Sequence, residues 1–218
     1  MSKIIWDKTG ERLYETGIDH CALFVMNDAG EYGAGVPWNG ITGITNSPSG
    51  AEANPLYADN MKYLNLISAE EFGATITAYT YPDEFGECDG SASPVPGLKI
   101  GQQSRKAFGL AYRTLVGNDI EGQEHGYKIH LIYNALAAPS ERNYTTVNDS
   151  PEAIELSWEL TTTPVEVEGF KPTAHIEIDS TKVSPEKLAA LEAMIYGSES
   201  EEPALPTPTE VINMLKAA

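Results

Sequence analysis

Apolar and polar residues alternate along most of the chain up to about residue 180, and a period of two is what a strand with one buried face requires. The clearest run is Ile154-Glu155-Leu156-Ser157-Trp158-Glu159-Leu160-Thr161, which alternates without a fault. Ala174-His175-Ile176-Glu177-Ile178-Asp179 repeats the pattern, and Tyr127, Ile129, Leu131 and Tyr133 stand against Lys128 and His130. Ala74-Thr75-Ile76-Thr77-Ala78-Tyr79-Thr80-Tyr81 adds the β-branched and aromatic content that suits a pleated surface. Further strands are expected over 20–26, 39–46, 60–68 and 106–115, separated by Gly, Pro, Asn, Asp and Ser. Strands with one apolar face must bury it on another sheet. The expectation is therefore a mainly β chain of antiparallel sheets packed as a sandwich.

The helical signals come last. Ser184-Pro185-Glu186 offers a capping hydroxyl, a proline for the first helical position and an acid for the first turn. Leu188, Leu191, Met194 and Ile195 then form an apolar stripe that Gly197 ends. The acidic, proline-bearing stretch 198–206 reads as a linker, and Thr207-Pro208-Thr209-Glu210 as a capping box opening a short helix through Met214 and Leu215. The division expected is a β-sandwich domain with a flanking helix over 1–197, and a linker with a C-terminal arm over 198–218. That arm is expected on the exterior or against an adjoining subunit. Two connections, 47–58 and 138–151, are far longer than the roughly 2–5 residues a hairpin needs, and such loops serve as lids or contact surfaces.

Charge narrows the partners. Against 14 Lys+Arg stand 32 Asp+Glu, a formal net charge of −18. Gripping a nucleic-acid backbone takes clustered cations, and an anionic membrane surface repels this balance, so neither is an expected partner. The opening Met1–Lys8 stretch lacks the apolar run of a secretory signal, and no window reaches the roughly 18 apolar residues of a membrane span. Cys21 and Cys88 read as buried or half-buried thiols.

The search for chemistry is negative. Neither a phosphate-binding loop, a dinucleotide glycine fingerprint nor a Gly-x-Ser-x-Gly elbow occurs. His20, His125, His130 and His175 are scattered without ligand spacing, and the last two are expected as solvated groups on polar strand faces. Asp83, Glu84, Glu87 and Asp89 form the densest acidic cluster, open to calcium ligation or acid–base work, yet the calcium-loop pattern is not met and solvated turn carboxylates suffice. Asn143-Tyr144-Thr145 and Asn148-Asp149-Ser150 match glycosylation sequons, which a chain without secretion does not use. No catalytic residue, cofactor or metal is expected.

Fragments along the chain nonetheless share one likeness. They are Ile5-Trp6-Asp7-Lys8-Thr9-Gly10-Glu11-Arg12-Leu13-Tyr14-Glu15-Thr16-Gly17-Ile18-Asp19; Trp38-Asn39-Gly40-Ile41-Thr42-Gly43-Ile44-Thr45 with Ser47-Pro48-Ser49-Gly50-Ala51-Glu52; and Pro55-Leu56-Tyr57-Ala58-Asp59-Asn60. Glu70-Glu71-Phe72-Gly73-Ala74, Ala78-Tyr79-Thr80-Tyr81-Pro82-Asp83-Glu84-Phe85 and the run from Ile100 to Leu110 follow. Ala137-Ala138-Pro139-Ser140-Glu141-Arg142 and Val147-Asn148-Asp149-Ser150-Pro151-Glu152-Ala153 complete the series. In this order they resemble the major tail (tail tube) protein of long, non-contractile-tailed bacteriophages and their prophages, over roughly residues 4 to 212.

The resemblance implies a β-sandwich with a flanking helix, closing into hexameric rings that stack into a tube. Its partners would be other copies of itself, a tape-measure protein, and tail terminator and distal tail proteins. Double-stranded DNA would pass through the lumen without specific binding. The place implied is the virion tail, the chain being made in the host bacterial cytoplasm. Within that picture Pro48, Pro55, Leu56 and Tyr57 are the candidates for contacts between rings, because prolines limit unfolded freedom and the two large residues offer an apolar anchor. Glu155, Glu159, Glu177 and Asp179 are the candidates for an acidic lumen, since they occupy polar strand faces. Two other readings compete: a distal-tail, baseplate or bacterial injection-system ring of the same lineage, and a hydrolase built on Asp83, Glu84 or Glu87.

Overall fold

The structure, a computed structural model, describes residues 3–147, 149–150 and 152–216. Met1, Ser2, Asn148, Pro151, Ala217 and Ala218 lie outside the described residues, and with them the sequon asparagine at 148, the end of the 138–151 connection and the tip of the C-terminal segment. In chain order the strands are β1 (Tyr14–Val25), β2 (Val36–Pro37), β3 (Ile41–Asn46), β4 (Ser49–Gly50), β5 (Ala53–Ala58), β6 (Met61–Ile67), β7 (Glu70–Glu71) and β8 (Gly73–Ala78). A one-turn helix α1 (Phe85–Cys88) leads to β9 (Ala92–Val95), β10 (Leu98–Ile100), β11 (Phe108–Asn118) and β12 (Gly122–Ala137). β13 (Leu156–Thr162), β14 (His175–Asp179), α2 (Pro185–Tyr196) and α3 (Pro208–Lys216) complete the fold. It is mainly β, with antiparallel sheets and flanking helices, as the alternation requires.

One sheet runs β2-β1-β11-β12-β13-β8-β3, with β14 also on β12. It becomes a sandwich because β12 changes partners along its length. Residues 128–132 of β12 pair with β14, whereas 135–137 pair with β13. Between them Asn134 takes a left-handed φ of 47°, and its amide donates to the Tyr32 hydroxyl at 2.8 Å. A bulge with the extra residue in that region bends a strand, and here it turns β12 from one layer into the other.

Two cores result, one on each face of the β1-β11-β12 layer. Between the layers Trp158 packs edge-on against Trp38, Tyr81 and Phe85 at 5.6, 5.6 and 5.1 Å between ring centres, joined by Leu23, Ile76, Leu110 and Ile132. On the other face, Phe24, Ile129, Leu131, Tyr133 and Ile178 meet Leu188, Leu191 and Ile195 of α2. Alternation within β12 feeds both: Leu131 and Tyr133 go one way, Ile132 the other.

The helix signals hold in position and partly in chemistry. α2 starts at Pro185 and Gly197 follows it at φ 81°, but the Ser184 hydroxyl makes no capping bond although its backbone has the extended N-cap conformation. The capping box at α3 forms in full: the Thr207 amide donates to Glu210 Oε2 at 2.8 Å, and the Glu210 amide to Thr207 Oγ1 at 3.3 Å. The 198–218 segment, read as a linker and arm, docks on its own subunit as far as residue 216. The Gly35 amide donates to Pro203 at 3.0 Å, the Ala204 amide to Met194 at 2.8 Å and the Tyr133 hydroxyl to Pro206 at 2.9 Å. Leu205 and Val211 are buried in the second core, covering apolar surface that α2 alone leaves open.

Candidate assembly surfaces

Residues 47–58, expected as a loop, are mostly strand, in β4 and β5. β5 and β6 form a hairpin around Asp59-Asn60, whose φ values of 50° and 63° give the twisted two-residue turn that right-handed strands favour. Every residue of β5 and β6 is exposed on both faces. Tyr57, Met61, Tyr63, Leu66 and Ile67 stand 54–70 % exposed, an unusual load of apolar surface for so short a segment. Of the four candidates for ring contacts, Pro55, Leu56 and Tyr57 lie in β5, while Pro48 sits at the hairpin's root just before β4. Pro55 is tolerated because β5 pairs with β6 alone. A second exposed hairpin, β9–β10, carries Val95, Leu98 and Ile100 at its surface and turns at Pro96-Gly97. That Pro-Gly pair is the turn signal the sequence carries for it.

The layer formed by β1, β11, β12 and β14 has two open flanks. Among the described residues β14 pairs only with β12. β1 pairs with β2 at Ala22 and Leu23 alone, so its stretch from Tyr14 to Asp19 meets β11 on one side and no strand on the other among the described residues. Rows of unpaired amides and carbonyls along such flanks are templates for another strand. The sequence expected β1 to begin near residue 20. Alternation does not extend into its first half, because Gly17 and His20 take left-handed φ values of 66° and 51° at two register shifts.

The four acidic candidates fall on two layers. Glu159 alternates with the buried Trp158 and Leu160 and stands on the outer face of the β13-β8-β3 layer, where Glu155 accepts from Thr42. Glu177 and Asp179 belong to β14, on the face away from Ile176 and Ile178. Glu177 pairs with Lys128 at 2.9 Å, and Asp179 with Lys182 at 2.9 Å. Burial works against ionising Asp179, yet bonds from Thr181 and Lys182 hold its carboxyl below the usual range.

His130 and His175 are expected in water; His130 is instead buried and His175 half-buried. Opposed on β12 and β14 through neighbouring rungs, they lie in a column of parallel rings: Phe72 on His175 at 4.7 Å, His175 on His130 at 5.5 Å, His130 on Tyr112 at 4.6 Å. Rings stack because Phe72 reaches across from the end of β7 and covers the face that alternation assigned to water. Burial pushes both imidazoles down, His175 to about 4. Glu15 can only accept, so the Thr114 hydroxyl donates to it, and His130 Nε2–H donates to Thr114 at 2.9 Å. His130 Nδ1 then accepts from His175 Nε2–H at 3.2 Å. Bonded to Glu15 and to Glu177, Lys128 is held above its ordinary value, its single charge shared between the two carboxylates.

The 83–89 acids do not form one cluster. Asp83 is exposed beside Lys99, and Glu87 pairs with Lys106 at 2.8 Å. Asp89 turns inward, accepting from Trp158 Nε1 at 3.1 Å and from Arg142. Among the described residues no group of His, Cys, Asp or Glu is arranged to hold a metal ion, and no helix is long and apolar enough to cross a membrane. Both cysteines are free and buried, which pushes each thiol up to about 12.

No family description and no curated protein matches the chain. Three solved structures are similar to it over most of their length. The anti-feeding prophage (AFP) baseplate structure is 9 % identical, with 84 % of this chain and 100 % of that chain covered at a TM-score of 0.38. The sheath-tube complex of an extracellular contractile injection system, PVC, in its extended state is 13 % identical over 76 % of this chain and 93 % of that one, TM-score 0.33. The SPP1 tail tube is 14 % identical over 87 % and 96 %, TM-score 0.38. At low identity the chain is similar to tail-tube, baseplate and injection-system structures.

Proposed function

We propose that this chain is a structural subunit of the tail-tube lineage that associates with copies of itself into rings. One observation carries the reading: the β5–β6 hairpin exposes apolar side chains on both faces along its whole length. A lone two-stranded hairpin is marginal in water, and it gains stability when a neighbour covers it. The open flanks of β1 and β14 support the same conclusion, because joining them between neighbours satisfies main-chain groups and repeats by rotation until a ring closes.

In the finer form of the reading the rings are hexameric and stack into a tube, with Pro55, Leu56 and Tyr57 on the hairpin and Pro48 at its root making the contacts between rings. The sequence resemblance supports this form. A tape-measure protein fills the tube during assembly, terminator and distal tail proteins close its ends, and double-stranded DNA later passes through without specific binding. The subunit is made in the host cytoplasm, ends in the virion tail and performs no catalytic step. Glu155, Glu159, Glu177 and Asp179 supply candidate lumen charge, which repels phosphate over a screening length of about 8 Å and keeps DNA from adhering. A distal-tail, baseplate or injection-system ring would share the subunit contacts and lack the indefinite stacking.

Negative-stain microscopy of the purified chain over rising concentration tests both forms. Hollow tubes are expected. Separate rings would replace the tube with the single-ring form, and compact monomers at every concentration would refute self-assembly.

A further inference from the structure

A second surface carries charge of the sign this chain mostly lacks. Between the end of β8, the β10–β11 connection and the segment after β12 lies a cavity of about 640 Å³, lined by Tyr81, Asp89, Lys99, Gln103, Arg105 and Arg142 among others. Three cations and one carboxylate meet there, in a chain with 14 Lys+Arg against 32 Asp+Glu.

The carboxylate does not balance them. Asp89 is already engaged by Arg142 and Trp158 Nε1, with Arg105 at 3.7 Å. Lys99 has Asp83 at 3.2 Å, but that side chain is 94 % exposed, and such a pair is worth little. Lys99 and Arg142 are both held over the Tyr81 ring, at 4.7 and 5.4 Å from its centre. Arg105 is anchored through one nitrogen to the Ala137 carbonyl at 2.8 Å, which leaves the rest of its donor fork for another acceptor. Like charges held together around an open cavity repel, and an incoming anion relieves that repulsion while using the unspent donors.

The same chain presents a matching group. Glu199, Glu201 and Glu202 are exposed, and none makes an ion pair among the described residues. They stand on a built turn: the Ser198 hydroxyl accepts from the amides of Ser200 and Glu201 at 3.3 and 3.2 Å, and the Ser198 amide donates to Glu201 at 2.9 Å. Pro203, tied to Gly35, fixes the turn's far end. A turn already ordered loses little entropy on docking. No residue of this turn lines the cationic cavity of its own chain.

We infer that the cavity around Lys99, Arg105 and Arg142 is a docking site for the Glu199–Glu202 turn of a second copy. The contact is heterologous, cavity to turn, so each copy offers one of each and the contact repeats from subunit to subunit. This inference rests on the self-association proposed above and names a contact within it.

Sedimentation velocity on the full chain at about 0.15 M salt tests it, with Lys99→Glu, Glu201→Lys and the double variant compared with the wild type. Lys99 and Glu201 are both at the surface, and circular dichroism checks that each variant is folded. Each single variant is expected to need about tenfold higher protein concentration to assemble, and the double variant to regain most of the loss. Single variants that assemble like the wild type would overturn the docking site while leaving self-association intact. A weakened Lys99→Glu that Glu201→Lys does not rescue would overturn the assignment of the turn. A wild type that stays monomeric throughout would refute the proposed function itself.

Discussion

Nε2 of His175 lies 3.2 Å from Nδ1 of His130, with the two rings stacked 5.5 Å apart, in a column that ties β14 to β12. The groups facing the pair are Glu15 from β1, Thr114 from β11, Lys128 from β12 and Glu177 from β14. Burial lowers both imidazoles, so between about pH 6.5 and 4 the unfolded chain binds more protons than the folded one. Stability is therefore full above about 6.5 and falls as pH drops through that window. Glu15 and Asp19, held below the usual carboxylate range, add losses of the same sign at lower pH. Thermal unfolding of the wild type across pH 4–7 is expected to show a falling Tm, and His175→Gln to flatten the slope; an unchanged slope would mean that the buried pair does not titrate there.

Trp158 is fully buried at the centre of the first core, and its indole N–H is Asp89's contact with that core. Trp158→Ala is expected to cost about 3–5 kcal/mol in denaturant unfolding. Trp158→Phe keeps most of the packing and removes the donor, with a loss of about 1–3 kcal/mol.

Replacing residues 53–67 with a short Gly-Ser link removes strands that place no residue in either core. The shortened chain is expected to unfold within a few degrees of the wild type and to form no tubes in negative stain. Normal tube growth would reject the hairpin as the contact between rings.

Glu155→Lys combined with Glu159→Lys reverses charge on the outer face of the β13-β8-β3 layer. Slower DNA ejection from assembled particles is expected if that face lines the lumen, and unchanged ejection would place it elsewhere.

Local rules made much of this fold readable. Alternation located β8, β13, β14 and most of β12, because each has one face in a core and the other outside it. Gly197 and the Thr207–Glu210 box marked real helix ends. What alternation cannot report is which neighbour covers a polar face. His130 and His175 read as exposed because nothing local says that Phe72, distant in sequence, closes over them. The C-terminal segment is a like case: the acidic composition of 198–206 says linker, while Leu205 and Val211 fill a gap in a core assembled elsewhere. The length of the 47–58 connection marks a protruding segment, while the pairing of β5 with β6 that builds the hairpin is not written in either strand alone.

A reconstruction of the assembled particle at a resolution that separates strands tests the central claim most directly. The account predicts a continuous antiparallel or parallel ladder joining β14 of one subunit to the Tyr14–Asp19 stretch of β1 in the next, around a hollow centre. Subunits that meet through α2 and α3 while both flanks face solvent would contradict it.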